Sequence, residues 1–177
     1  MSTSSLPRVP KLIASSTHLP LIIDYVDITS VNPDERNPRI HKKRQIKLLA
    51  KSIQSFGFVV PLIVNQHNQL IAGHARLEAA KSLGLQQVPA IRLEHLTPEQ
   101  TQALMIADNR LSELSSWDAE LLAVHMKELS VVNLDFDIEA TGFTVGEIDL
   151  QIAEDNLKRV DWDAVQRQFD QDTHDMK

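Results

Sequence analysis

The stretch LIAGHARLEAAKSLG, residues 70–84, decides the fold that this sequence predicts. Its first three residues are apolar and suit a short strand, which Gly73 ends. Apolar residues then recur at helical spacing, and Gly84 stands where a helix typically stops. The pattern therefore predicts a strand that turns at Gly73 directly into a helix beginning near His74.

Further strands are predicted on both sides of this turn. VVPLIVNQ, residues 59–66, and QLIAG, residues 69–73, suit a hairpin with a short polar connection. LPLIIDYVDI, residues 19–28, and VPAIRL, residues 88–93, are rich in the β-branched and aromatic residues that strands favour. Together these segments predict a small mixed sheet.

A loop and an amphipathic helix precede the hairpin. NPDERNPR, residues 32–39, contains two prolines and two asparagines, which push the backbone out of helix. Apolar residues then recur at helical spacing up to Phe56, and Gly57 occupies a C-cap position. One helix is therefore predicted to end at Phe56.

Helices dominate the second half of the chain. Thr97 is followed by proline and has glutamine at the capping-box position, which predicts a long helix to about Leu114. Shorter helices are predicted over AELLAVHMKEL, residues 119–129, and after the cap Thr144. The predicted class is α+β, a small mixed-sheet core followed by a helical extension.

We predict four parts: a flexible arm over residues 1–18, the core over 19–114, the helical extension over 115–160 and a tail over 161–177. The length of 177 residues fits one domain with an appendage. The longest apolar run falls well short of the roughly 18 residues that a membrane span needs, and the N-terminus lacks the apolar segment of a secretory signal. Because cysteine is absent, a reducing compartment is favoured, and the cytoplasm is expected.

The charge is polarised along the chain. Residues 1–107 carry 12 basic and 7 acidic side chains, whereas residues 108–177 carry 6 and 17. Seven basic side chains lie between Arg36 and Lys51 and could attract phosphate, including that of DNA. The alternative is that they form a solvated helix face. The acidic second half argues against the whole chain coating DNA.

The segment Gly73-His74-Ala75-Arg76 is the first candidate site. A helix that begins directly after a strand leaves backbone N–H groups that attract anions. Glycine allows close backbone approach, and the planar guanidinium of Arg76 can bind two phosphate oxygens. Glycine also occurs in many such turns for steric reasons alone, so the residues by themselves leave both interpretations open.

Asp108 and Asn109 form the second candidate site, within the long predicted helix. A carboxylate and an amide oxygen suit Mg²⁺, which usually binds together with substrate phosphates. The alternative is a solvent-facing patch with an ion pair along the helix. The predicted apolar side of this helix consists of Leu104, Ala107, Leu111 and Leu114.

Several enzyme classes find no support in the sequence. The seven histidines are scattered, with no pair at ligand spacing on one predicted helix, which argues against a metal hydrolase. A Gly-x-Ser-x-Gly elbow, a Walker P-loop and a Rossmann glycine fingerprint are all absent from the sequence.

Four segments, in order, resemble the N-terminal domain of the ParB/sulfiredoxin superfamily over about residues 22–114. In ParB proteins the turn is Gly-Glu-Arg-Arg and binds the triphosphate of CTP, and in sulfiredoxins it is Gly-Cys-His-Arg and handles ATP. Without cysteine, sulfiredoxin chemistry is excluded, because it needs a thiolate. The four segments are NPDERNPR (32–39), LAKSIQSFGFVVPLIV (49–64), LIAGHARLEAAKSLGLQQVPAI (70–91) and the helix with ADNR (107–110).

The resemblance also assigns roles within the turn. Gly73 and Arg76 match both family patterns, whereas His74 and Ala75 replace the residues between them. One phosphate ligand of ParB is thereby missing, which implies a less specific nucleotide or polyphosphate site than a CTP switch.

Two further family motifs carry over. Asp108-Asn109 stands where ParB has the Glu-Asn motif that contacts phosphate and Mg²⁺. Arg39 stands in the Asn-Pro-Arg loop near the nucleotide. The resemblance thus implies catalytic and metal roles for Asp108 and Asn109 and a phosphate role for Arg39.

The implied function is a Mg²⁺-dependent domain that binds ATP or CTP, hydrolyses it slowly and acts in DNA transactions. A ParB-like DNase and a noncatalytic module that serves DNA or a methyltransferase partner are the alternatives. Residues 115–129 and 135–150 resemble the extension of ParB-like domains fused ahead of DNA-modification methyltransferases. We expect neither a helix-turn-helix DNA reader nor a dimerising tail. The chain is expected to be either a fragment or a stand-alone protein of a plasmid, phage or other mobile element.

Overall fold

The computed structural model describes residues 21–161, 163–165 and 167–168, so the arm expected over residues 1–18 lies outside the described residues. Within the described part, short 3-10 turns occur at Ile28–Ser30 and Ile138–Thr141. The main elements in chain order are β1 (Ile23–Asp27), α1 (Lys43–Phe56), β2 (Leu62–Asn65), β3 (Leu70–Ala72), α2 (His74–Ser82), β4 (Gln87–Leu93), α3 (Pro98–Glu113), α4 (Ala119–Ser130) and α5 (Val145–Lys158).

The four strands form one mixed sheet in the order β1-β4-β2-β3. β2 and β3 pair antiparallel as the predicted hairpin, and β1 pairs antiparallel with β4. β2 and β4 pair parallel, which is possible because β3 and α2 lie between them in the chain and supply the crossover. The predicted α+β class is confirmed.

The main core lies on one face of this sheet. Alternate residues of β2 and β4 point into it, and Leu77 and Ala80 of α2 pack against them. α1 contacts α2 and has no fully buried residue of its own. The fully buried strand residues of this core are Leu62, Val64, Leu70 and Val88.

The predicted apolar side of α3 is wrong in its second half. Met105 is the buried residue of α3, whereas Leu111 and Leu114 are 66% and 63% exposed. α3 contacts the sheet at β3, so the side of the helix that is buried depends on where the strand lies. Helical spacing alone does not contain that information.

The helical extension has a small core of its own and is attached to α1. Leu122 and Met126 of α4 pack against Ile148 of α5. At the junction with α1, the rings of Phe56 and Phe136 meet edge to face with centroids 5.1 Å apart. The extension is therefore held both by apolar packing and by the ion pairs described next.

Four of the seven basic side chains between Arg36 and Lys51 form ion pairs with acidic residues of this chain. Arg44 forms an ion pair with Glu147 at 2.6 Å, and Lys51 pairs with Asp137 at 2.8 Å and also with Glu139. Arg36 and Arg39 are paired with acidic residues as well. Neither the phosphate-attracting segment nor the solvated helix face predicted from the sequence describes all seven side chains. Among the described residues, Lys42, Lys43 and Lys47 are the basic side chains of this segment that form no ion pair.

The expected tail is partly helical. Residues 163–165 and 167–168 are in helix, and the Asp161 carboxylate accepts a hydrogen bond from the Ala164 N–H at 2.9 Å. Asp161 thus acts as an N-cap, which the tail prediction overlooked. In the part of the chain that the structure covers, no helix is long and apolar enough to span a membrane.

Acid is expected to loosen α5 from α1 through Glu147. The Glu147 carboxylate accepts hydrogen bonds from the Thr144 N–H and from Arg44, which lower its pKa from 4.5 to about 2. Since this pKa is depressed in the folded protein, its stabilisation is present above pH 4.5 and is lost as the pH falls toward 2. Thermal unfolding from pH 7 to 2 should show a smaller fall in Tm for Glu147→Gln than for the wild type.

Asp149→Asn is the matched control, because Asp149 is exposed on the same helix. Its Tm should fall with acid as in the wild type. Identical acid profiles for Glu147→Gln and the wild type would contradict the assignment.

Candidate functional site

The turn of residues 73–76, called the Gly73 turn below, has the predicted strand-to-helix geometry. Gly73 lies in the left-handed region with φ 101° and ψ 23°, directly before α2. A Cβ atom on it would lie 2.7 Å from Leu62 Cδ2 and 3.0 Å from Arg76 Nη2. The position therefore requires glycine both for its backbone conformation and for space.

The first turn of α2 is open to an anion. Gly73 is the N-cap residue of α2, and no side chain among the described residues forms a capping hydrogen bond there. The first intrahelical bond runs from the Leu77 N–H to the Gly73 carbonyl at 2.9 Å, so the preceding N–H groups have no partner within the helix. Such N–H groups and the helix dipole together favour a bound anion.

A cleft of about 200 Å³ lies over this turn. α1 contributes Gln45 and Leu49, and the loop before it contributes His41. Six of the seven predicted site residues therefore lie together here: Gly73, His74, Ala75, Arg76, Asp108 and Asn109.

Arg76 is half-buried beneath the Gly73 turn and lacks a full set of partners. Its Nε atom is buried, and no hydrogen-bond partner occurs for it in the described part of the chain. Burial lowers the pKa of Arg76, and the charge of Asp108 acts in the opposite direction. Arg76 thus carries a cationic group whose hydrogen-bonding capacity is not satisfied by the described residues.

His74 is a second unsatisfied group at the same place. Its Nε2 atom is buried and, among the described residues, has no hydrogen-bond partner. Burial lowers the pKa of His74, the charge of His41 lowers it further, and Asp34 and Glu78 oppose both effects. Burial thus favours the uncharged form of the ring, and a bound anion would supply the partner that Nε2 lacks.

Asp108 and Asn109 present oxygen atoms beside these groups. The Asn109 side-chain N–H donates to the Met105 carbonyl at 2.8 Å, which leaves its Oδ1 atom for another ligand. Asp108 is exposed. No group of three or more His, Cys, Asp or Glu side chains among the described residues is placed to hold a metal. The site therefore fits Mg²⁺ only if oxygen atoms of a bound phosphate provide the remaining ligands of the metal.

Arg39 does not line this cleft but lines a neighbouring cavity that His74 of the Gly73 turn also lines. It forms an ion pair with Glu113 at the end of α3, and this second cavity has a volume of about 220 Å³. His41 and His74 line both cavities, so the two adjoin. Glu113 and His41 were not predicted as site residues, because no local pattern at either position signals a contact with a distant element.

Two family models match this chain. A model described as the ParB N-terminal domain matches residues 15–110, and one described as the ParB-methyltransferase HTH domain matches residues 120–175. The second match contradicts the expectation that no helix-turn-helix module is present. Residues 131–144 separate α4 from α5, and this connection is longer than the three or four residues of the usual motif, so spacing gave no signal.

Several curated proteins and solved structures are similar to the chain, among them two relatives and one structure. The ParB-like nuclease domain-containing protein YnaK of Escherichia coli (strain K12) is 38% identical over 82 residues, which cover 46% of this chain and 94% of that protein. The probable chromosome-partitioning protein ParB of Rickettsia typhi is 30% identical over 140 residues, 78% of this chain and 47% of that protein. The chain thus spans about half the length of that partition protein.

The solved structure is the C-terminally truncated chromosome-partitioning protein ParB from Caulobacter crescentus complexed with CTP-gamma-S. It matches with a TM-score of 0.55 and 22% identity, over 62% of this chain and 63% of that one. This likeness supports the fold.

Proposed function

This chain belongs to the family of ParB N-terminal domains, and on that premise we propose that it binds a nucleoside triphosphate with Mg²⁺ at the Gly73 turn and hydrolyses it slowly. One observation carries the proposal: the buried Nε of Arg76 and Nε2 of His74, at the open end of α2, both lack a hydrogen-bond partner among the described residues. Phosphate oxygens would satisfy both atoms. The solved relative complexed with CTP-gamma-S supports the ligand class.

Phosphates would bind mainly through the Gly73 turn. The backbone N–H groups of His74 and Ala75 and the guanidinium of Arg76 would contact oxygen atoms of the polyphosphate chain. These contacts involve only the phosphate groups and do not distinguish one base from another. ATP and CTP are therefore both proposed as ligands.

The metal would bind between the polyphosphate and α3. Asp108 would offer its carboxylate and Asn109 its Oδ1 atom. When bound, Mg²⁺ would neutralise phosphate charge and orient the terminal phosphoryl group. Hydrolysis is expected to be slow, because few cationic groups are available to stabilise the charge of the transition state. Among the described residues, Arg76 is the one arginine that lines the cleft, and Arg39 is paired with Glu113.

Calorimetry with ATP, CTP and GTP, each with Mg²⁺ and with EDTA, tests this proposal. At least one nucleotide should bind, and Asp108→Ala should weaken binding about tenfold in Mg²⁺ but not in EDTA, which corresponds to one lost metal contact. Asp135→Ala is the control, since Asp135 is exposed on the extension. Failure of all three nucleotides to bind would overturn the proposal.

Nuclease activity is the second candidate, favoured by the similarity to a ParB-like nuclease domain-containing protein of E. coli. The same cleft would then act on a DNA phosphodiester. Metal-dependent nicking of plasmid DNA that Asp108→Ala abolishes, without nucleotide binding, would select it. If neither activity is found, the noncatalytic module for DNA or a methyltransferase partner follows, which the match to the ParB-methyltransferase HTH domain favours.

A further inference from the structure

Two histidines, His41 and His74, lie where the two cavities adjoin. His41 comes from the loop before α1, and His74 is the first residue of α2. Both line the cleft over the Gly73 turn and also the second cavity that Arg39 lines. A ligand that extends from one cavity into the other therefore passes both rings.

The hydrogen bond of His41 defines what its ring can donate. His41 Nδ1 lies 3.1 Å from the Oε1 atom of Gln45, and in the tautomer that carries its proton on Nδ1 the ring donates a hydrogen bond to this oxygen. The Nε2 atom then carries a proton only when the ring is charged. Phosphate oxygens are acceptors, so a contact between this atom and phosphate requires protonated His41.

The charged groups around the rings are mostly committed to other partners. The buried carboxylate of Asp34 forms an ion pair with Arg36 at 3.2 Å, and Arg39 is paired with Glu113. Glu78 is paired with Lys81 at 3.1 Å and lines the second cavity together with both histidines. Neither imidazole forms a hydrogen bond with a carboxylate in the described part of the chain, although Asp108 and Arg76 line the cleft with them.

We propose that His41 is a further ligand of the polyphosphate chain and acts with His74 in its protonated form, so that nucleotide affinity rises on acidification. This inference rests on the proposed function. In the nucleotide-free protein two charged rings would repel each other, and a polyanion between them removes that repulsion. The burial and the neighbouring charge that lower the pKa of His74 agree with this picture.

Calorimetry at pH 6, 7 and 8 with inorganic tripolyphosphate and with ATP and CTP tests the inference. At pH 6, His41→Gln should bind about tenfold more weakly than the wild type, because one charged contact is lost, and at pH 8 the two should be similar. The terminal phosphate also gains a proton over this range, so the decisive quantity is the difference between the two proteins at each pH. Wild-type binding should take up more protons than binding by His41→Gln, as measured in buffers of different ionisation enthalpy.

His125→Gln is the control, because His125 is exposed on α4 and pairs with Glu128. Equal affinities of His41→Gln and the wild type at every pH would overturn the inference and leave the proposed function intact. An equal loss at every pH, or a lowered Tm, would mean a structural role and overturn it too. If the wild type binds none of the three ligands, the proposed function itself fails.

Discussion

Replacing Arg76 by alanine is expected to weaken nucleotide binding about 100-fold, since a bidentate contact between guanidinium and phosphate contributes roughly 3 kcal/mol. The folded protein should be at least as stable as the wild type, because the guanidinium is half-buried with its Nε unpartnered. Arg76→Lys should bind with intermediate affinity, since it keeps the charge and loses the planar pair of donors. Calorimetry gives the affinities, and thermal unfolding without ligand gives the stability.

Lys81→Ala is the control for this change, because Lys81 is a cation at the other end of α2. It should bind nucleotide as the wild type does. Wild-type affinity in Arg76→Ala would place the phosphates elsewhere. A fall in stability that accounts for the loss of binding would make Arg76 a structural residue.

Replacing Gly73 by alanine is expected to lower the free energy of unfolding by about 3 kcal/mol, from backbone strain and a steric clash together. With φ at 101°, any side chain is strained here, and a Cβ would lie 2.7 Å from Leu62 Cδ2. Leu62 is completely buried in the core and has no room to withdraw. Urea denaturation measures the change, and nucleotide binding should be lost with it because Arg76 is displaced.

Gly84→Ala separates the two causes. Gly84 also has a positive φ, +70°, but a Cβ on it would meet nothing within 4 Å. It should therefore lose only about 1 kcal/mol, from strain alone. Equal losses in the two variants would show that the contact with Leu62 is unimportant.

Features set by near neighbours in the chain were predicted well. Thr97 and Thr144 both form the predicted capping boxes, and the N–H of Gly57 closes the end of α1 by donating to Ile53. The strand, glycine and helix around the Gly73 turn are also as predicted, and the family match confirms the resemblance drawn from them. The roles of the site residues stay predictions, which the variants above address.

Features set by packing were missed or wrong. The exposed Leu111 and Leu114 were expected to be buried. The match to a helix-turn-helix model was also not foreseen. These errors concern where an element lies relative to others, which spacing within the element does not specify.

The sequence by itself determined the strands, helices, caps and the glycine turn, because each depends on residues within about four positions of one another. Only the tertiary structure decided that Arg39 pairs with Glu113 and that Arg44 pairs with Glu147, which are 74 and 103 positions apart. It likewise placed His41 beside His74. The physical reason is that such contacts exist only after folding has brought distant segments together, here α3 to the loop before α1 and α5 to α1, and many other pairings satisfy the same local rules.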